Sequence, residues 1–271
     1  MIGEKQPIEK AAELLCRTVR NLMQERVVSV ILHGSAVLDD LALGYSDLDF
    51  LVVQAGELSE DECQALKHMR APFLSGQHGP WAKALEGAFL PRPMLNPAVT
   101  GRAFWWGTSS ERVWDSNKLG WFTLWVIREK GLVLWGEDTR QEIPIPPKDG
   151  LVAQVNEFCA SARQHGRGGS IKSVDWLLTA ARLLKWVREG VMSSKSDAAD
   201  WAFHNAKGQW RELLPAAKDM RLHVELAETS GAKAWLDGLQ GPITDACQEL
   251  ELALTARTCS PDWRGVAERH Q

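Results

Sequence analysis

Two carboxylates, Asp47 and Asp49, flank Leu48 at the head of an apolar run, and a Gly34-Ser35 step lies shortly before them. On a strand, residues two apart point to the same face. Held roughly 5 Å apart, two such charges repel by about 3 kcal/mol at an effective dielectric near 20. A dication between them removes that cost, and Mg²⁺ takes one or two carboxylates together with phosphate oxygens. A Gly-Ser turn opening a short helix, with Ser35 as its cap, offers N–H groups and a hydroxyl where an anion is favoured. Metal on one side and phosphate on the other is Mg-nucleotide chemistry. The competing reading is a plain strand end with two solvated acids.

The elements that must position these groups are legible from periodicity. Residues 7–24 repeat apolar side chains at helical spacing. Residues 27–32 form a nearly uniform apolar run, as expected of a strand covered on both faces, and 48–53 repeat that pattern. Ser59 with Glu62 forms a capping box for a helix over 60–70. A third strand over 84–90 carries Glu86, although Gly87 interrupts it. Residues 97–117, with Trp105, Trp106 and Trp114 among Gly, Thr and Ser, read as irregular. A helix over 119–130 and a short strand over 132–135 follow.

The Pro-rich tract 143–150 reads as a stiff connector. Beyond it the pattern is helical, over 152–165, 170–188, 196–204, 216–229, 232–239 and 242–256. The expected fold is an α/β (α+β) domain with a small mixed sheet over 1–148. An all-α helical bundle over 149–271 completes it.

The 271 residues carry 31 basic and 35 acidic side chains, a net charge of −4. That balance argues against a dedicated polyanion binder, so no extended nucleic-acid surface is expected. Cys16, Cys63, Cys159, Cys247 and Cys259 are scattered and odd in number, and no two form a C-x-x-C pair. A zinc site or disulfide framework does not fit, and a reducing cytoplasm is the expected setting. The first residues are acidic where a signal peptide is basic. No apolar run reaches membrane-spanning length. The expected form is a monomer or weak dimer whose partners are small molecules. Thirteen Trp against one Tyr supply large packing groups, some of which could stack on a ringed ligand.

Leu32-His-Gly-Ser35, eleven intervening residues, and Asp47-Leu-Asp49 on an apolar strand resemble the nucleotidyltransferases of the polymerase β type. The resemblance implies that Gly34 and Ser35 hold nucleotide phosphates and that Asp47 and Asp49 bind Mg²⁺ at the α-phosphorus of ATP. It also implies a third acid on a neighbouring strand. Glu86, in Leu85-Glu-Gly-Ala-Phe89, is the match, as the base that deprotonates the acceptor hydroxyl. Ser46 is a further candidate for phosphate; its alternative is a turn hydroxyl bonding local backbone. His33 stands where the family often has Tyr, and reads as packing or as a hydrogen-bond partner behind the ligands.

The helical half narrows the match. Trp176-Leu-Leu-Thr-Ala-Ala-Arg182, a Gly190 turn and Ser194-Lys-Ser-Asp-Ala-Ala-Asp-Trp-Ala202 are similar to the helical domain of the aminoglycoside adenylyltransferases that modify streptomycin and spectinomycin. Arg128-Glu-Lys-Gly-Leu-Val-Leu-Trp-Gly136 fits that branch as well. It implies Arg182 and Lys195 as triphosphate ligands reaching across an interdomain cleft. Their alternatives are an ion pair of Arg182 with Asp175 or Glu189, and a solvated Lys195. One stretch departs from the branch. Acidic residues are expected shortly before the Arg-bearing helix, whereas residues 163–172 are basic, which leaves the acceptor open.

The activity so implied is Mg-dependent transfer of AMP from ATP to a hydroxyl of an aminoglycoside or aminocyclitol, with release of pyrophosphate. Glu86, Trp105, Trp106, Trp114 and Asp175 are the acceptor-side candidates, with core packing the competing reading for the three indoles. Two other functions stay open: nucleotidyl transfer to a protein or tRNA, and nucleotide binding without turnover.

Overall fold

The computed structural model describes residues 2–107 and 110–259. The chain divides into two compact units, Met1–Pro144 and Ile145–Gln271.

The first unit is built on strands β1 (Val27–Leu32), β2 (Leu48–Gln54), β3 (Leu85–Pro91), β4 (Thr100–Trp106), β5 (Glu111–Ser116) and β6 (Leu132–Gly136). They form one mixed sheet in the order β5-β4-β3-β2-β1-β6. β2 and β3 run parallel, and the other neighbours are antiparallel. Among the described residues, four α-helices accompany the sheet: α1 (Ile2–Met23), α2 (Glu60–Leu74), α3 (Pro80–Lys83) and α4 (Trp121–Lys130). The capping box of α2 is present, with Ser59 and Glu62 bonding reciprocally.

Strand alternation sorts the core into two layers. Val30, Leu32, Leu48, Phe50, Val52, Phe89, Phe104 and Trp106 point to one face, where Leu15 and Val19 of α1 and Leu66 and Phe73 of α2 meet them. Ile31, Leu51, Val53, Ala88, Leu90 and Ala103 point to the other, beneath Leu124 and Ile127 of α4. Gly87, which reads in the sequence as an interruption of β3, is required there. A Cβ at that position would lie 2.7 Å from Phe50 Cγ, because the Phe50 ring occupies the space.

The structure corrects two local expectations in this unit. Residues 97–117 are largely not irregular, because β4 and β5 form an antiparallel pair there. Buried Arg70 of α2 helps to fasten it, donating to Glu111 Oε1 at 2.9 Å and to the Gly107 carbonyl at 2.6 Å. Ser35 is not a helix cap either. The turn Gly34–Val37 is a single 3₁₀ turn entered from His33, with no side-chain cap.

The second unit consists of α5 (Lys148–His165), α6 (Val174–Glu189), α7 (Lys195–Asn205), α8 (Leu214–Leu222), α9 (Ser230–Asp237) and α10 (Gln240–Thr258). α6 buries Leu177, Leu178, Ala181 and Leu184 along one stripe, and packs against α7, α8 and α10. The helix expected over 216–229 is broken: α8 ends at Leu222, and His223 (φ −131°, ψ 77°) turns the chain into a 3₁₀ segment. Glu249 of α10 ties Arg188 Nη2 at 2.6 Å, Trp210 Nε1 at 3.0 Å and the Lys207 and Gly208 amides. Burial raises its carboxyl, but these bonds together hold it below the usual carboxylate range. Cys159 and Cys247 are fully buried, as small apolar groups are.

Candidate active site

Asp47 lies just before β2 and Asp49 within it. Asp49 shares its face with Leu51 and Val53, the side opposite Phe50. The parallel ladder sets Asp49 directly beside Glu86, as it sets Leu51 beside Ala88. Glu86 therefore points the same way as Asp49 from the adjacent strand. All three carboxylate residues are half-buried. Among the described residues no group of three or more His, Cys, Asp or Glu side chains is placed to hold a metal alone. Two carboxylates completed by phosphate oxygens is the arrangement that Mg²⁺ prefers.

The Gly34-Ser35 turn is fitted to this row. Gly34 has φ +67°, a left-handed conformation that side chains resist. A Cβ there would run into the Asp49 carboxylate, with Asp49 Cγ at 2.9 Å. The missing side chain thus makes the space in which the carboxylate sits. His33 N donates to the Asp49 carbonyl at 2.9 Å, so turn and strand are joined through the backbone as well. The donor set, hard oxygens beside a glycine turn, suits a divalent cation with phosphate.

Ser46 braces the loop ahead of β2. Its Oγ accepts from the Ala42 amide at 3.0 Å while its own amide donates to the Ala42 carbonyl at 2.8 Å. Asp40, in the loop between the turn and β2, is buried, and its amide donates to the Ser35 carbonyl at 3.0 Å.

The three indoles separate. Trp106 is fully buried in the aromatic layer, with ring centroids 5.5 Å from Phe50 and 5.4 Å from Phe89. It has no face to offer a ligand, and its place among the acceptor candidates is withdrawn. Trp105, one residue earlier, projects to the acid-bearing face. It pairs with Ala88, two residues along β3 from Glu86, and stays half-buried. Trp114 lies on the same face opposite Ala103, with Lys118 Nζ 5.1 Å and Arg112 Cζ 6.0 Å from its ring.

In the helical unit, Lys195 opens α7 behind the Ser194 cap, and its ammonium binds Asp175 Oδ1 at 2.7 Å. Sequence reasoning paired Asp175 with Arg182 as an alternative and missed this partner. Arg182 is half-buried on α6 with Nε 3.2 Å from Met192 Sδ, a weak acceptor. In the basic stretch over 163–172, Arg163 is answered by Glu251 of α10, so that charge belongs to the bundle.

His33 is the unusual group here. Its side chain is 4% exposed, and neither ring nitrogen makes a well-aligned hydrogen bond, the Phe50 backbone being the polar group beside it. Burial pushes its pKa down to about 4, with the Phe50 backbone opposing slightly. The period-2 pattern of β1, continued one residue past Leu32, is the signal that could have placed it on the acid-bearing face.

Comparison with known proteins agrees with this architecture. Residues 144–240 match the sequence family of the aminoglycoside adenylyltransferase C-terminal domain. That match covers most of the helical unit, from Pro144 through its penultimate helix. The structure is similar to that of the spectinomycin adenyltransferase AAD(9) from Enterococcus faecialis, determined with ATP and spectinomycin. The TM-score is 0.68 at 17% identity, covering 91% of this chain and 99% of that one. No curated protein sequence matches the chain significantly. Among the described residues no helix is long and apolar enough to cross a membrane.

Proposed function

We propose that the protein transfers AMP from ATP to a hydroxyl of a small aminoglycoside or aminocyclitol. The observation that carries this is the row formed by Gly34, Asp49 and Glu86. A glycine turn is shaped around one carboxylate, and a second carboxylate stands in register beside it. ATP and spectinomycin in the structural relative, and the match to an aminoglycoside adenylyltransferase domain, support the choice of nucleotide and acceptor.

Asp47 and Asp49 would hold Mg²⁺, which when bound supplies a Lewis acid for the α-phosphate and neutralises charge on the leaving group. Glu86 takes the proton of the acceptor hydroxyl. The oxygen attacks the α-phosphorus, the bond from that phosphorus to the bridging oxygen breaks, and pyrophosphate leaves. The amides of the Gly34-Ser35 turn, with Ser46, orient phosphate oxygens. Arg182 and Lys195 are the helical unit's candidate triphosphate ligands, with Lys195 held by Asp175 Oδ1 at 2.7 Å. Trp105 and Trp114 offer aromatic surface to a ringed acceptor. Orientation and charge neutralisation provide most of the acceleration.

The test is incubation with each of the four nucleoside triphosphates, Mg²⁺ and a panel of aminoglycosides and aminocyclitols, following pyrophosphate. ATP-dependent release with at least one acceptor is expected. No release with any acceptor overturns the proposal. Arg182→Ala is expected to raise KM for ATP, and an unchanged KM returns Arg182 to a structural role.

A further inference from the structure

We propose that His33 is a positioning residue that holds the Asp49 carboxylate in its metal-binding orientation, an inference that rests on the proposed reaction. The last pair of the β1–β2 ladder is Leu32 with Phe50. One step further, His33 N donates to the Asp49 carbonyl at 2.9 Å, and His33 is extended at φ −146°, ψ −160°. His33 and Asp49 therefore stand directly opposite each other on antiparallel chains. Both point to the face of Ile31 and Leu51. Side chains so opposed have Cβ atoms about 4.5–5.5 Å apart.

The imidazole is an odd choice for packing alone. It is 4% exposed, and neither ring nitrogen makes a well-aligned hydrogen bond. Phe or Leu would fill this volume without burying two unsatisfied polar atoms. A carboxylate that binds a metal through one oxygen is commonly held through the other by a hydrogen bond from a neighbouring group. The His33 ring, on the residue directly across the ladder from Asp49, offers such a donor. Gly34, the next residue, opens the space that the same carboxylate fills. Asp49 thus has the turn on one side and the imidazole of the preceding residue opposite it. The hydrogen bond is made in the metal-bound state.

The experiment is a titration of Mn²⁺ into protein with a non-hydrolysable ATP analogue and no acceptor, followed by the electron paramagnetic resonance of free Mn²⁺. Asp49→Asn is expected to abolish the protein-dependent binding. His33→Phe is expected to weaken it by roughly 10–100-fold, with a thermal unfolding midpoint no lower than wild type. His33→Asn, which keeps an N–H, is expected to recover most of the affinity. Wild-type affinity in His33→Phe overturns the inference, and so does a weakening that His33→Asn leaves unrelieved. Should His33→Phe fail to fold, His33→Leu against His33→Asn makes the same comparison. Unchanged binding in Asp49→Asn is a different failure, since it removes the metal assignment beneath the inference.

Discussion

The two faces of the central sheet are written by alternate residues of the same strands, yet they do opposite work. Asp49 and Phe50 are neighbours, as are Glu86 and Gly87, and Trp105 and Trp106. One member of each pair enters a closed aromatic layer in which Phe50, Phe89 and Trp106 meet edge to face. The other stays half-buried on a face that carries acids at one end and apolar side chains under α4 at the other. The buried face fixes the register, because a one-residue slip would invert every side chain. That register in turn brings Glu86 to Asp49. Packing on one side thereby sets the spacing of the carboxylates on the other.

The contrast can be broken or sharpened by substitution. Among substitutions that contrast the two faces, the largest effect is expected from Glu86→Gln, which keeps the shape and removes the proposed base. Its kcat should fall roughly 10²–10⁴-fold, with urea stability close to wild type. A loss of stability with kcat intact would make Glu86 part of the core. Trp106→Ala should do the reverse, costing about 3–5 kcal/mol in urea unfolding while activity per folded molecule persists.

His33 crosses the divide, being buried as a core residue on the acid-bearing face. Its folded pKa is about 4 against an ordinary 6.5, burial being the main cause. Above pH 6.5 the ring is neutral in both states and its contribution to stability is complete. As pH falls below 6.5 the unfolded chain binds a proton that the folded chain refuses. About 3 kcal/mol is then lost by pH 4. Denaturant midpoints between pH 7 and 4 check this, and His33→Phe should flatten the slope; an equal slope in the variant assigns the acid loss elsewhere. The smallest effect is expected at Trp105→Ala, with acceptor KM raised roughly tenfold, the order of one aromatic contact. An unchanged acceptor KM would make both faces of β4 structural.

Much of this was legible in the chain. The apolar runs at Val27–Leu32 and around Leu48 declared buried strands, and the Gly34-Ser35 step with Asp47 and Asp49 marked out the candidate site. The β4–β5 pair was not legible, because Gly101, Arg102 and the adjacent Trp105-Trp106 spoil the alternation of β4, and β5 is an exposed edge. Trp105 and Trp106 look alike in sequence, and only the pairing of β4 with β3 assigns them to opposite faces. The Lys195–Asp175 pair spans 20 residues and depends on how α6 and α7 pack. The weight of His33 lies in a cross-strand neighbour and in ring nitrogens without a well-aligned hydrogen bond, neither of which a linear pattern records.

The acid-bearing face is proposed to carry metal-dependent chemistry with Asp49 at its centre. The most direct test is pyrophosphate release from ATP, Mg²⁺ and the best acceptor by Asp49→Asn, in protein whose circular dichroism and urea midpoint match wild type. Release is expected to fall by at least about 10³-fold, as for the loss of charge stabilisation at a reacting centre. Release within a few-fold of wild type would contradict it.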